Sequence, residues 1–315
     1  MLDSYGRKIE YLRISVTDLC NYRCVYCMEP EGVPKRPHAE LLRLEEIVEL
    51  AAAAAECGIR KLRLTGGEPL VRPGIVELCR MLRAVPGIEE LTMTTNGSLL
   101  PKLAAPLKEA GLDRLNISLD ALDPRCFREI TRCGRVEEVL AGLEAAEAAG
   151  FQHTKLDTVL LGGLNLDEIP ALAELTRTRP VSVRFIELMP LGVGAAMPPE
   201  RFVSADCVLR ALPELEALDR DGVAERYRLP GAPGTVGLIR ALSRRFCDSC
   251  NRIRLTADGK LKPCLHSEAE FSVRGLHGEA LRAAIAKTIA AKPPCHRLRE
   301  RGGSETPRTM YQIGG

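Results

Sequence analysis

Short β-rich runs alternate with alanine- and leucine-rich helical runs through the first two-thirds of the chain, and this rhythm limits the fold more than any other feature. Neighbouring parallel strands need crossover connections, so repeated βα units predict an α/β fold with a parallel sheet. One helical run, residues 42–58, ends in Gly58, a residue that favours a helix C-terminus. The predicted strands are 11–16, 61–65, 91–95, 114–119, 155–161 and 181–188.

The chain changes character at about residue 195, where proline and glycine become frequent and shorter strands flank a turn at 257–260. Six βα units can form an open doubly wound sheet or an incomplete barrel. We predict an incomplete (βα)6 TIM-like barrel over residues 1–195 and a C-terminal extension over 196–315 that closes its mouth. The motifs "TGGEP", "TTNG" and "SLD" follow three of the strands, at the edge where ligands of such folds bind.

Composition excludes several classes of function. The chain has 315 residues, 45% of them hydrophobic, which is enough for a large core. Lysine and arginine number 44 against 42 acidic residues, so nothing general favours nucleic acid or a membrane surface as a partner. The N-terminal sequence lacks an apolar signal region, and we expect a cytoplasmic protein. Its twelve cysteines then favour metal ligation over disulfides where they cluster.

The first cysteine cluster is Cys20, Cys24 and Cys27, with C-x3-C-x2-C spacing. Thiolates suit zinc or an iron–sulfur cluster, and the two differ in ligand count. Structural zinc takes four protein ligands, but residues 18–38 offer no well-spaced fourth cysteine. A [4Fe–4S] cluster on three cysteines keeps one iron open for a ligand. The spacing favours the cluster over a zinc knuckle, which stays open as an alternative.

The second cysteine cluster is Cys247, Cys250 and Cys264. Zinc is a stronger alternative here, because C-x2-C is a common zinc half-site and His266 could be a fourth ligand. Arg252 and Arg254 lie two apart on a predicted strand, so their side chains leave the same face. Such a pair is either a solvated strand face or a phosphate site, since guanidinium groups match phosphate oxygens in pairs.

The first cluster and the motif after the second strand, "CNYRCVYC" followed by "GGEP", together resemble the radical S-adenosylmethionine (SAM) enzymes. The resemblance implies that SAM binds the open iron and is cleaved to a 5′-deoxyadenosyl radical. Glycines allow close backbone approach, and Glu68 could accept a hydrogen bond from an ammonium group. The implied SAM contacts are Tyr26, Gly67, Ser118 and Met189.

Both cysteine clusters, the insert "NRIR" and the terminal "YQIGG" resemble one branch of that superfamily, the GTP 3′,8-cyclases, from about residue 9 to the end. The resemblance implies conversion of GTP to (8S)-3′,8-cyclo-7,8-dihydroguanosine 5′-triphosphate, the first step of molybdenum cofactor biosynthesis. A second [4Fe–4S] cluster would contact the guanine. A reducing electron donor, hand-over of product to the cyclic pyranopterin monophosphate synthase, and a possible homodimer complete the implied partners.

The same resemblance assigns the substrate-binding residues. Five cations among them would face the triphosphate in a chain with almost no net charge. The double glycine at the C-terminus, Gly314 and Gly315, is implied to reach into the active site and, with Arg252, Arg254 and the first three cysteines, to serve catalysis. The implied GTP contacts are Arg13, Arg63, Thr94, Lys155, Arg252, Ile253 and Arg254.

The sequence differs from the family pattern at two places, and two alternative functions stay open. Glu29 precedes Pro30 where the family usually has the reverse order, and Asp157 replaces a common asparagine two residues from Lys155, where it could weaken triphosphate binding. One rival is another radical SAM enzyme with an auxiliary cluster, such as a peptide-modifying maturase. The other is a binding module in which both cysteine clusters hold structural zinc.

Overall fold

The computed structural model describes residues 1–34 and 36–314. All six strands predicted for the N-terminal part are present: β1 (Tyr11–Ser15), β2 (Lys61–Thr65), β3 (Glu90–Thr95), β4 (Arg114–Ser118), β5 (Lys155–Leu160) and β6 (Ser182–Glu187). The helices between and after them are α1 (Leu44–Glu56), α2 (Ile75–Arg83), α3 (Leu100–Glu109), α4 (Pro124–Thr131), α5 (Val136–Ala148) and α6 (Ile169–Thr178). The predicted βα rhythm is therefore confirmed, with one additional helix between β4 and β5.

The C-terminal part contains more strands than the sequence indicated. Its elements are α7 (Asp206–Ala211), β7 (Glu216–Asp221), β8 (Ala224–Arg228), β9 (Thr235–Ile239), β10 (Arg252–Leu255), β11 (Lys260–Lys262), β12 (Phe271–Ser272), α8 (Gly278–Ala290), α9 (Leu298–Arg301) and α10 (Met310–Ile313). Among the described residues, no helix is both long enough and apolar enough to cross a bilayer.

The described strands form one twelve-stranded sheet in the order β12-β11-β10-β1-β2-β3-β4-β5-β6-β9-β8-β7. Strands β1 to β6 are parallel neighbours, and the C-terminal part adds a parallel strand on each side, β10 beside β1 and β9 beside β6. Antiparallel strands then complete both edges. Since β12 and β7 do not pair within the described chain, the sheet is open, as an incomplete barrel requires.

The two faces of the parallel sheet differ in chemistry. Leu12, Leu62 and Leu115 lie on one face and are completely buried, and full burial of a leucine contributes about 1.5–3 kcal/mol. Side chains alternate along a strand, so the next residues, such as Arg13 and Arg63, point to the opposite face. The apolar face and the helices form the core, which leaves the polar face free to bind a ligand.

Helix α1 shows how the local sequence sets an element. Ile47, Leu50 and Ala54 recur at helical spacing and are buried. At the N-terminus, the Glu46 carboxylate accepts a hydrogen bond from the Arg43 backbone N–H at 2.7 Å. Gly58 follows the helix with φ of +95°, a conformation that glycine adopts at little cost. The predicted stop at Gly58 is therefore confirmed.

Candidate functional site

The first cysteine cluster lies in the loop that follows β1. This loop docks on the C-terminal end of α4, where Arg23 N–H donates to Thr131 O at 3.1 Å and Val25 N–H donates to Ile130 O at 2.9 Å. Within the loop, Cys27 N–H donates to Cys24 O at 2.9 Å. These backbone contacts fix the turn that carries the three thiols.

The three thiols of this loop converge. Burial raises the pKa of Cys20 and of Cys27 to about 12, and it raises that of Cys24 well above its usual value. Negative charge on Asp120, and then on Cys27 and Cys20, raises the pKa of Cys24 further, so the three thiols lie close enough to interact electrostatically. Held this way, the thiols need a positively charged partner to ionise.

Three soft thiolate donors suit an iron–sulfur cluster. In the described chain, no three His, Cys, Asp or Glu side chains are placed to hold a single metal ion. If these three thiolates held a [4Fe–4S] cluster, one of its irons would be available to a bound molecule.

Gly67 joins the end of β2 to the cysteine loop. Its N–H donates to Thr17 O at 2.8 Å, and a Cβ at this position would lie 2.6 Å from Asp18 O. Only glycine allows the two backbones to approach so closely. The "GGEP" motif thereby holds the cysteine loop at the carboxyl end of β2.

Glu68 has a structural partner set of its own. Its carboxylate accepts from Leu70 N–H at 2.9 Å, Thr95 Oγ1 at 2.7 Å and Asn96 N–H at 2.7 Å. Burial raises the pKa of this carboxyl to about 7, although the three donors act against the shift. Glu68 therefore ties the ends of β2 and β3 together, and its oxygens already have protein donors where the sequence suggested an ammonium partner.

Tyr26 is held by an acid that the sequence analysis did not single out. The Tyr26 hydroxyl donates to Asp120 Oδ2 at 2.7 Å, and Asp120 Oδ1 accepts from Val159 N–H at 2.8 Å. Burial raises the pKa of Asp120 to about 6. The only available signal was its place directly after a strand, in "SLD". Asp120 links the cysteine loop to the loop after β4 and to β5.

The other residues implied to contact SAM lie at the same edge of the sheet. Ser118 is the last residue of β4, and Met189 follows β6 by two positions. Gly194 fits between two of these segments, because a Cβ there would lie 3.0 Å from Tyr26 O and 3.2 Å from Met189 O. The fold thus brings Tyr26, Gly67, Ser118 and Met189 to one edge, around the first cysteine cluster.

Three arginines sit side by side on the polar face of neighbouring strands. Arg13 is in register with Arg254 of β10 on one side and with Arg63 of β2 on the other. Burial and the charge of Arg254 lower the pKa of Arg13 well below its usual value. Arg63 donates to the Tyr11 hydroxyl and, at 3.0 Å, to Thr94 Oγ1. Such a row of buried like charges is costly unless an anion joins it.

The pKa of Tyr11 reflects the positive charge of the surrounding arginines. Burial raises its pKa, but the charges of Arg63, Arg13 and Arg252 outweigh burial and lower the pKa to about 8. Arg252 lies opposite Tyr11 across the β1–β10 pair. A phenol whose proton is so weakly held indicates a site that favours negative charge.

A second cationic group lies on β5 and β6. Lys155 Nζ and Arg184 Nη2 both contact Asp221 Oδ2 of β7, at 3.0 Å and 2.6 Å. Burial and the charge of Arg184 lower the pKa of Lys155 to about 8. Asp157 bonds to Asn116 Nδ2 at 2.7 Å, and its charge acts on Arg184. The acid that offsets Lys155 is therefore Asp221, which sequence analysis missed, and Asp157 lies beside Arg184.

The second cysteine cluster frames β10 and β11. Cys247 and Cys250 precede β10, and Cys264 follows β11. Burial raises the pKa of Cys247, and charges on Cys264 and Cys250 add to that effect, so these three thiols also lie close enough to interact electrostatically. Burial raises the pKa of Cys250 too, but the charges of Lys292 and Arg252 outweigh it and leave the pKa below the usual value. Positive charge at this site favours a thiolate ready to bind metal.

Two other residues near this cluster have well-defined surroundings. His266, the candidate fourth zinc ligand, bonds through Nδ1 to Ser304 Oγ at 3.0 Å, and burial with the charge of His296 lowers its pKa to about 3. Ile253 is completely buried, and it alternates with the two arginines of β10. Its side chain belongs to the core, so only its backbone can contact a ligand on the polar face.

The C-terminal tail enters the space between the two cysteine clusters. Tyr311 of α10 donates its backbone N–H to the Cys27 sulfur, and Gly314 O accepts from Arg254 Nη1. Gly314 has φ of +78°, and a Cβ there would overlap Thr65 Cγ2 at the end of β2. Gly315 lies outside the described residues. The tail therefore touches the first cluster, the end of β2 and the arginine row.

Comparisons with known proteins identify two matching family profiles and many similar proteins. The profile of the Radical SAM superfamily matches residues 14–176, and that of Molybdenum Cofactor Synthesis C matches residues 181–298. A GTP 3′,8-cyclase of Peptoclostridium acidaminophilum is 50% identical over 321 residues, which is 100% of this chain and 98% of that protein. A GTP 3′,8-cyclase of Heliobacterium modesticaldum is 47% identical over 327 residues, covering 100% of both chains.

Solved structures support the fold alone. Streptococcus suis SuiB superposes with a TM-score of 0.65 at 14% identity, over 96% of this chain and 77% of that one. The hydrogenase maturase HydG from Carboxydothermus hydrogenoformans gives a TM-score of 0.51 at 19% identity, over 66% of this chain and 51% of that one. An open, mostly parallel α/β sheet is thus shared with proteins of quite different sequence.

Proposed function

The chain belongs to the GTP 3′,8-cyclase family of the radical SAM superfamily, and from that premise we propose that it converts GTP to (8S)-3′,8-cyclo-7,8-dihydroguanosine 5′-triphosphate. This reaction begins molybdenum cofactor biosynthesis, in agreement with the second matching profile. One observation carries the proposal: a row of buried cations lies on one face of the sheet, with a three-cysteine cluster at each side of it.

The first cysteine cluster holds the radical-generating group. As a member of the superfamily, the chain uses a [4Fe–4S] cluster and SAM, which together supply a 5′-deoxyadenosyl radical when bound. We assign the cluster to Cys20, Cys24 and Cys27. SAM would lie along the strand ends, against the residues implied at that edge: Tyr26, Gly67, Ser118 and Met189. Asp120 would fix the Tyr26 ring through its hydrogen bond.

The cationic face would hold the substrate. Arg13, Arg63, Arg252 and Arg254 present guanidinium groups that can bind phosphate oxygens in pairs, and Lys155 adds a point charge. Thr94 would help by holding Arg63 in place, through its 3.0 Å contact. Arg184 is an addition from the structure, since it lies beside Lys155 on the same face. With the triphosphate fixed there, the ribose would be oriented towards the first cluster, and water would be excluded by the tail.

The second cluster and the other partners are finer parts of the proposal. Cys247, Cys250 and Cys264 would hold a second [4Fe–4S] cluster, which would offer an open iron to the guanine. The guanine would approach beside the Arg252 and Arg254 side chains and the Ile253 backbone. Gly314 and Gly315 would close the site. A reducing electron donor, hand-over to the cyclic pyranopterin monophosphate synthase, a homodimer and a cytoplasmic location remain predictions.

Asp221 leads to a first test of the substrate site. Burial raises its pKa, but the charges of Lys155 and Arg184 outweigh burial and keep it ionised. A triphosphate at Lys155 must displace this carboxylate or lie against it. We expect Asp221→Asn to tighten GTP binding about threefold to tenfold, equivalent to ~0.7–1.4 kcal/mol for a partly screened charge. Equilibrium binding of GTP measures the change.

Asp219→Asn is the matched control for Asp221, because it removes one acid from the same strand, β7, and Asp219 is exposed. Its GTP affinity should stay close to that of the unchanged protein. Equal tightening in both variants would mean that general charge, and not the contact with Lys155 and Arg184, sets the affinity. Unchanged GTP affinity in both variants would mean that β7 is not part of the substrate site.

The proposed function is tested by 5′-deoxyadenosine release from anaerobically reconstituted protein supplied with SAM and a reductant. We expect release to rise clearly when GTP is added, with the cyclised nucleotide appearing in step. If 5′-deoxyadenosine release does not change when GTP is added, the assignment of radical chemistry stands and the assignment of GTP as substrate is wrong. That outcome is expected of a peptide-modifying maturase. A colourless protein that binds zinc and releases nothing would instead indicate the binding module.

A further inference from the structure

Lys292, which follows α8, has no role in the proposed reaction and yet lies against the second cysteine cluster. Its side chain is buried, with only 3% of the residue exposed. Nζ donates to Cys250 Sγ at 3.5 Å, to Arg252 O at 2.8 Å and to Pro263 O at 3.0 Å. An ammonium group has three N–H donors, and here each has an acceptor.

These acceptors come from both segments that carry the cluster ligands. Cys250 and Arg252 belong to the segment that enters β10, and Pro263 directly precedes Cys264. One buried ammonium group therefore holds the two segments at a fixed separation. A buried charge is tolerated only when it is fully bonded or paired, so this arrangement is specific to lysine at this place.

The segment that carries Lys292 is itself anchored. Arg7 Nη2 donates to Pro293 O at 2.7 Å, and Arg7 Nη1 donates to Pro294 O at 3.0 Å and to Cys247 O at 2.9 Å. Asp3 fixes the other side of the Arg7 guanidinium, with Oδ2 at 2.6 Å from Nε. The position of the Lys292 amine relative to Cys250 is thus set by the fold and does not depend on a mobile loop.

We propose that Lys292 is a positioning residue for the second cluster: it fixes Cys250 and the two ligand-bearing segments, and its charge raises the reduction potential of the cluster. This inference rests on the proposed function, because it requires a [4Fe–4S] cluster on Cys247, Cys250 and Cys264. Hydrogen bonds and positive charge at a cluster sulfur stabilise the reduced, more negative form. Removing the charge therefore lowers the potential.

The test uses the full chain with Cys20, Cys24 and Cys27 all changed to alanine, so that only the second cysteine cluster can bind iron. In this background, Lys292→Met removes the charge at similar side-chain length. Lys287→Met is the matched control, since Lys287 is an exposed lysine near the end of α8, the helix that precedes Lys292. Iron and sulfide per chain, and an anaerobic redox titration followed by electron paramagnetic resonance, are measured for each protein.

We expect Lys292→Met to keep a cluster whose midpoint potential is shifted to a lower value, while Lys287→Met leaves the potential unchanged. Lys292→Arg keeps the charge and is expected to restore the potential most of the way. A Lys292→Met cluster with the potential of the background protein overturns the proposal.

If the Lys292→Met variant binds no iron, the iron content of the Lys292→Arg variant distinguishes two cases. Iron in Lys292→Arg at the level of the background protein supports the proposal, and loss of iron from both variants overturns it. Failure of the underlying function is visible separately. A background protein without any [4Fe–4S] signal removes the second cluster before any lysine is changed.

Discussion

Replacing Cys24 by alanine is expected to abolish 5′-deoxyadenosine release, whether or not GTP is present. Cys24 is the middle one of the first three cysteines, and the charges of the other two act on its thiol. A cluster that already has only three protein ligands cannot lose another and still present one open iron to SAM. Chromatographic measurement of 5′-deoxyadenosine after anaerobic reconstitution gives the result, and iron per chain should fall to the share held by the second cysteine cluster.

Cys57→Ala is the control for this substitution. Cys57 is also half-buried, but it lies at the end of α1, on the helical side of the sheet, with its sulfur 3.9 Å from Arg282 O. Iron content and release should match the unchanged protein. Continued release by Cys24→Ala would mean that another thiol completes the site, and the assignment of the first cluster would be wrong.

Much of the parallel sheet was predictable, because its signals are local. Each of the six predicted strands is a short apolar or alternating run between turn residues, and each predicted bound lies within one residue of the observed bound. The strands that flank this unit were not predictable in the same way. Strand β9 follows a hairpin instead of a helix, and its parallel pairing with β6 joins residues about 53 positions apart, as in Ser182 with Thr235.

The candidate site was predictable where a motif carries it and not where tertiary contacts do. Spacing alone located both cysteine clusters. By contrast, Asp221 lies 66 residues from Lys155 in the sequence. Strand β7, which carries it, is almost fully exposed, and an acidic residue in such a strand is usually interpreted as an ordinary surface residue. Lys292 is 42 residues from Cys250, and nothing in its neighbourhood marks it as buried. Such partners depend on which strands pair, and the local sequence does not encode that.

The interpretation of the arginine pair depends on the sheet as well. From the sequence, Arg252 and Arg254 could have formed a solvated strand face. In the structure β10 pairs with β1, which places Arg254 beside Arg13 and buries it, and burial together with the charge of Arg252 lowers the pKa of Arg254 to about 10. Like charges held side by side at buried and half-buried positions oppose folding, and an anionic ligand would compensate them.

Changing Gly314 to alanine is expected to reduce formation of the cyclised nucleotide about 100-fold, because a displacement near 1 Å at a catalytic site can cost that much. A methyl group here would overlap Thr65 Cγ2, and φ of +78° is unfavourable for any residue with a Cβ. The tail must then move, and it would withdraw Gly314 O from Arg254. Product and 5′-deoxyadenosine are measured together, and we expect product to fall far more than SAM cleavage, since the first cluster keeps its ligands.

The Gly302→Ala variant is the control that distinguishes steric overlap with Thr65 from the cost of a positive φ. Gly302 also has a positive φ, +68°, but a Cβ there meets nothing within 4 Å. The Gly302→Ala substitution should therefore lower the free energy of unfolding by about 1–2 kcal/mol and leave product formation unchanged. Thr65→Ser removes the methyl group that a Gly314→Ala side chain would strike, so the double variant should recover part of the lost product. Equal losses in Gly302→Ala and Gly314→Ala would indicate a tail that matters for stability alone, whereas recovery in the double variant would establish that the tail acts by contact with the end of β2.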